Sequence, residues 1–251
     1  MEHARDLVIV LLQKELKVRY QATVLGYFWS VLQPLAMAMV FLFAFKIVLK
    51  NNVEDYPLVL ITGLFPWQWM SNSVNVGSGI FLANRSLLKR VAFPRFTLVL
   101  AAALNEMTHF FFCLPVIGVF MLWYGHRPTA EWLYLLPAAF GLQIITAIGL
   151  MLIVATANMF FRDMERLVGL AMMLAFYLTP IIYPSDIVPE NMRWIMYLNP
   201  FAGITGMWRA VFQNRPLDLW LTASSAAWGV LLLAGGTILY NRLKWRFAEV
   251  V

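Results

Sequence analysis

Chemistry inside the apolar stretches of this chain rests on very few residues. Glu106 and His109 stand three apart, so a helix would place them on one face within hydrogen-bonding reach. A carboxylate within an apolar segment is either the proton site of an ion-coupled transporter or a buried polar contact between helices. Lys46, at the end of an apolar run, can snorkel to an interface. Nothing else completes a catalytic set of nucleophile, acid–base pair or metal. Cys113 is the only cysteine, which excludes an intrachain disulfide and a Cys-based metal site, and His3, His109 and His126 match no metal-ligand spacing. None of the six lysines (14, 17, 46, 50, 89 and 244) follows a glycine, so the Gly-Lys phosphate cradle is missing. The chain is therefore expected to be no enzyme and to need no cofactor of its own. If it moves something at the expense of ATP, the nucleotide and Mg belong to another chain.

The elements that must position these residues are apolar helices. Of 251 residues, 61% are hydrophobic and 13% charged, against roughly 45–50% and about 25% in soluble domains. This composition excludes a soluble enzyme, a nucleic-acid module and a disordered scaffold. It predicts an all-α polytopic membrane protein, a single transmembrane domain over residues 1–251. Six segments are long enough to span: Phe28–Leu49, Pro57–Ile80, Thr97–Trp123, Trp132–Phe160, Leu167–Tyr183 and Leu219–Tyr240. Thirteen of the nineteen Lys and Arg fall in the connections of one side and six on the other, which puts both termini in the cytoplasm.

Three segments outside the spans carry their own pattern. Residues 1–26 read as an amphipathic interface helix, with Glu2, Asp6, Gln13, Lys14, Lys17 and Gln21 on one arc and leucines and valines over most of the rest. Glu15 and Arg19 lie inside its apolar arc at i,i+4, as a surface pair or a contact to a partner protein. Residues 84–95 put Arg85, Lys89, Arg90 and Arg95 on a short cytoplasmic helix between spans two and three, suited to lipid head groups or a pyrophosphate. Residues 184–218 are too apolar for a solvated loop and too broken by proline to span. They predict two short helices, Glu190–Leu198 and Ala202–Gln213, dipping into the outer leaflet, with Asn199-Pro200 as the turn and Trp194 and Trp208 among the residues of an outer gate.

Aromatic residues make up 15% of the chain and recur inside the spans. Aromatic faces stack on the C–H faces of sugars. The same rings also pack against each other and face lipid, so the pattern alone leaves the cargo open.

The residues Lys17-Val18-Arg19-Tyr20-Gln21-Ala22-Thr23-Val24-Leu25-Gly26-Tyr27-Phe28-Trp29, followed by Gln33-Pro34-Leu35, resemble the start of ABC-2-type polysaccharide export permeases. The resemblance extends to Leu87-Leu88-Lys89-Arg90-Val91-Ala92-Phe93-Pro94, to Thr179-Pro180-Ile181-Ile182-Tyr183-Pro184, and to Pro189, Asn199-Pro200 and Arg209. It covers essentially the whole chain and is nearest to the O-antigen exporters, with capsule and teichoic acid exporters beside them. It implies a homodimer in the bacterial inner membrane, bound to two ABC ATPase subunits, with a pore between protomers lined by spans one and five. Tyr27, Phe28, Phe176, Tyr177 and Tyr183 lie on or beside those spans and would meet the cargo. The implied cargo is a polysaccharide on an undecaprenyl pyrophosphate carrier. Arg85, Lys89 and Arg90 would select that carrier, and Glu15, Arg19 and Arg95 would meet the ATPase. Rival readings are an ABC-2 exporter of a drug or small lipid, and an ion-coupled secondary transporter using Glu106.

Overall fold

The computed structural model describes residues 7–14, 26–50, 52–90 and 93–247, with Arg90 described by its backbone alone. Among them every regular element is helical. Helix α1 (Trp29–Leu42) is entered through a 3-10 turn, Gly26–Phe28, and prolonged by a π-helical segment, Phe43–Val48. It is followed by α2 (Tyr56–Ala83), α3 (Arg85–Arg90), α4 (Phe96–Trp123), α5 (Trp132–Asn158), α6 (Met164–Leu178), α7 (Arg193–Leu198), α8 (Ala202–Gln213) and α9 (Leu219–Leu243). Residues 7–14 are also helical. Leu11 is buried there in one cluster with Leu98, Tyr240 and Phe247, while Glu15 and Arg19 lie outside the described residues, as does most of the expected interface helix.

Among the described residues four segments are long and apolar enough to cross a membrane: Gly26–Val48, Phe96–Trp123, Trp132–Asn158 and Leu219–Arg246. The other two expected spans differ for separate reasons. Helix α2 has 28 residues, ample length, but carries Gln68, Ser71, Asn72 and Asn75. Helix α6 has 15 residues, about 22 Å at 1.5 Å per residue. It starts three residues before the expected Leu167 and stops at Leu178 rather than Tyr183. Thr179 precedes Pro180, which disfavours the helical region, and its backbone is extended at φ −92°, ψ 141°. The cytoplasmic helix expected over 84–95 is the shorter α3. In the 184–218 segment a 3-10 turn, Glu190–Met192, precedes α7, and α8 has the expected bounds.

The bundle has two ends. At one, which we call the basic end, the close of α2, the start of α4, the close of α5 and the close of α9 meet around Phe81, Val99, Met151, Tyr240 and Phe247. Arg95 Nη1 donates to the carbonyl of Lys244 there, and its guanidinium lies 5.5 Å from the Phe247 ring. Asn158 Nδ2 bridges the carbonyl of Ser78, at 2.9 Å, and Glu165 Oε1, at 3.0 Å. At the other, hairpin end, His126 Nε2 lies 3.1 Å from Asp55 Oδ2, and Asn214 Nδ2 donates to the carbonyl of Arg127. The most extensive contact joins α5 to α9. Gly149 and Gly236 allow it: a β-carbon on Gly236 would stand 2.6 Å from the carbonyl oxygen of Gly149. Asp218 opens α9 by accepting the Leu221 N–H at 3.0 Å.

Candidate functional site

Helices α1, α2 and α6 run alongside one another and leave a groove of about 300 Å³ between them. Residues 68, 71, 72 and 75 recur at i, i+3, i+4 and i+7, so Gln68, Ser71, Asn72 and Asn75 form a polar stripe down one face of α2. Gln33 of α1 and Gly169 of α6 face it. Toward the hairpin end the lining changes to Phe41, Leu64, Trp67, Phe176 and Tyr177, with Met37, Met172 and Met173 between. The rings form one connected wall: Phe176 lies 5.5 Å from Phe41, 6.0 Å from Trp67 and 5.1 Å from Tyr177. Amides and rings side by side match a ligand with both hydroxyls and apolar C–H faces.

The helical hairpin α7–α8 is joined to this wall at its turn. Asn199 Nδ2 donates to Thr179 Oγ1 at 2.9 Å and to the carbonyl of Leu178 at 3.2 Å, and its Oδ1 accepts the Phe201 N–H at 2.9 Å. Phe201 packs edge-on to Trp67, with centroids 5.3 Å apart. The turn therefore sits on the end of the helix that supplies Phe176 and Tyr177. Helix α8 is buried throughout except at Gly206. Trp208 is 0% exposed, between Phe110 and Phe140, and its Nε1 donates to Gln143 Oε1 at 2.5 Å. Gln143 in turn donates to the carbonyl of Pro66 at 2.8 Å. Arg209 Nη2 donates to the carbonyl of Ile181 at 2.9 Å and Gln213 Nε2 to Thr62 Oγ1 at 2.6 Å. These bonds tie α8 to α2, α5 and the chain beyond α6. Helix α7 is held more lightly: the Tyr197 carbonyl accepts from Ser224 Oγ and Trp228 Nε1, while Trp194 is 60% exposed.

Residues 6–212 match the family model for the ABC-2 type transporter. The chain belongs to the ABC-2 type transporter family. Across 246 residues, 98% of this chain and 95% of the relative, it is 42% identical to the O-antigen export system permease protein RfbA of Klebsiella pneumoniae. It is 33% identical to the protein of that name from Myxococcus xanthus, over 98% of this chain and 96% of the relative. Similarity to the polysialic acid transport protein KpsM of Escherichia coli is more distant, 23% over 80% of this chain and 79% of the relative.

In this ABC-2 permease the residues expected to meet cargo separate. Phe176 and Tyr177 line the groove; Tyr27, Phe28 and Tyr183 do not. Tyr27 instead packs on Phe112 at 5.4 Å, and Phe28 is 75% exposed. Tyr183 Oη donates to the carbonyl of Tyr177. Glu106 and His109 share a separate pocket of about 30 Å³ walled by α1, α2 and α4, where Ser30 Oγ lies 3.1 Å from His109 Nδ1. Gln68 and Asn72 belong to the walls of both cavities. On α3, Arg85 and Lys89 are exposed at the basic end. Arg95 is half-buried in the contacts to Lys244 and Phe247 described above. The polar stripe of α2 holds no ring and no ionisable group, the residue types that most plainly mark a site in sequence. The signal was there in the helical spacing of four neutral polar residues within a long apolar run.

Proposed function

We propose that this permease is the membrane subunit of an ATP-driven exporter of lipid-linked polysaccharide, O-antigen foremost, and that the α1–α2–α6 groove is its share of the conduit. The amide-and-ring lining of that groove carries the reading, supported by similarity to O-antigen export permeases over nearly the whole chain. A long polymer must slide, so its contacts should be weak and repeated. Ring stacking and neutral amides meet that need better than fixed ion pairs. Two copies of the chain form a homodimer in the inner membrane and close their grooves into a pore. Helices α2 and α6 complete six spans, and the polar stripe of α2 faces the conduit rather than lipid. The excess of cations at the basic end supports a cytoplasmic position for it and for both termini.

The remaining parts have complementary roles. The α7–α8 hairpin re-enters the membrane from outside and gates the exit, with Trp194, Asn199, Pro200 and Trp208 in it. Arg85, Lys89 and Arg90 receive the carrier pyrophosphate, since guanidinium groups grip phosphate bidentately and Lys adds a point charge. Two ABC ATPase subunits, which hold ATP and Mg, dock on the interface helix around Glu15 and Arg19 and on the basic end near Arg95.

The test is deletion and complementation in a host that makes the polysaccharide. Without this chain the glycan should accumulate inside the cell and vanish from the surface. Restoring the permease with its ATPase should return it, and restoring the permease alone should not. Normal surface glycan without the chain would overturn the assignment.

A further inference from the structure

The groove lining has a chemical character that narrows the cargo. Gln33, Gln68, Ser71, Asn72 and Asn75 supply its polar groups, and none of its lining residues is charged. Gln33 and Asn72 make no hydrogen bond to the described residues and are exposed in the groove. Asn75 spends its Nδ2 on the Ser71 carbonyl at 2.7 Å, with Ser71 Oγ at 3.3 Å, and presents its Oδ1 toward Gly169. Gln68 Nε2 has only the Met37 thioether, at 3.5 Å, a weak acceptor. The stripe thus offers amide donors and acceptors together along its length.

A sugar hydroxyl both donates and accepts, so it can match either end of an amide. A carboxylate only accepts, and amide oxygens such as Asn75 Oδ1 repel it. A carboxylate drawn between Met37, Met172, Phe176 and the amides would also lose hydration without gaining a counter-charge. From this we infer that the groove is a selectivity element for uncharged glycans: it passes chains of neutral sugars and disfavours chains bearing a carboxylate in each repeat. The inference rests on the reading of the groove as the conduit.

The experiment compares two polymers in one host, with the same carrier and the same partner ATPase: a neutral hexose chain, and the same backbone with one uronic acid per repeat. Surface glycan is measured against the cytoplasmic pool for each. The wild-type permease should export the neutral chain at least about tenfold more efficiently, the effect of one missing charge-assisted hydrogen bond. Asn72→Lys with Asn75→Lys should raise the acidic-to-neutral export ratio by about tenfold on the same reasoning, whereas Asn72→Gln with Asn75→Gln should leave it unchanged. Gln33→Lys, on a different helix, should shift the ratio in the same direction and stands in if the double variant does not assemble with the ATPase. Equal export of both polymers by the wild type, or a ratio insensitive to lysine in assembled variants, would overturn the selectivity. Ser71→Trp separates the two readings. If it blocks both polymers while lysine leaves their ratio alone, only the selectivity falls. If neither polymer is blocked, the conduit falls with it.

Discussion

Ser71→Trp should reduce polysaccharide export to background while the permease still inserts, dimerises and binds its ATPase. Ser71 stands in the middle of the polar stripe of α2, partly exposed to the groove, with Asn72 and Gln68 beside it and Met37 and Met172 across from it. An indole there would occupy much of a space of about 300 Å³. Val230→Trp is the matched control. Val230 lies on α9, 62% exposed and outside the groove, so the same added bulk should leave export near the wild-type level. Surface glycan staining beside co-purification of the ATPase reads both quantities. Full export by an assembled Ser71→Trp variant would remove the groove from the transport path.

The hairpin should prove equally sensitive at Trp208. Trp208→Ala is expected to destabilise the permease by about 3–5 kcal/mol, the range for deleting a fully buried aromatic side chain. Trp208→Phe keeps a ring between Phe110 and Phe140 but leaves Gln143 Oε1 without its donor, a cost of about 1–3 kcal/mol for an orphaned buried polar group. Adding Gln143→Leu to Trp208→Phe should recover part of that loss, because no orphaned side-chain acceptor remains. The Pro66 carbonyl then loses its bond from Gln143 Nε2, so recovery should be incomplete. Thermal unfolding of the purified permease measures each variant. Equal stability of Trp208→Phe and the wild type would show that the indole N–H contributes nothing to seating α8.

What the sequence could and could not convey follows from the range of each interaction. The four strongly apolar spans were legible because composition within one segment decides them. Helix α8 was legible to the residue: Pro200 cannot continue the preceding helix, and beyond Gln213 the chain leaves the helix through Asn214 at φ 51°. The end of α6 was missed by five residues because hydropathy continues through Ile181 and Ile182, whereas the backbone responds to Pro180. Aromatic residues were harder to sort. Phe28 and Phe176 look alike in sequence, yet one is largely exposed and the other forms the centre of the groove wall. Only the packing of α6 against α1 and α2 separates them. Arg95 bonds to a carbonyl 149 residues away, and Trp208 to an amide 65 residues away. No local pattern marks such pairs.

A photocrosslinking amino acid placed at position 68, in the polar stripe, tests the central claim most directly. During active export with ATP and the partner ATPase, irradiation should attach the glycan to the permease from this position. The same amino acid at position 231, an exposed site on α9 away from the groove, should yield lipid adducts and no glycan. Crosslinks to glycan from position 231, or none from position 68 under conditions where export proceeds, would contradict passage of the polymer through the α1–α2–α6 groove.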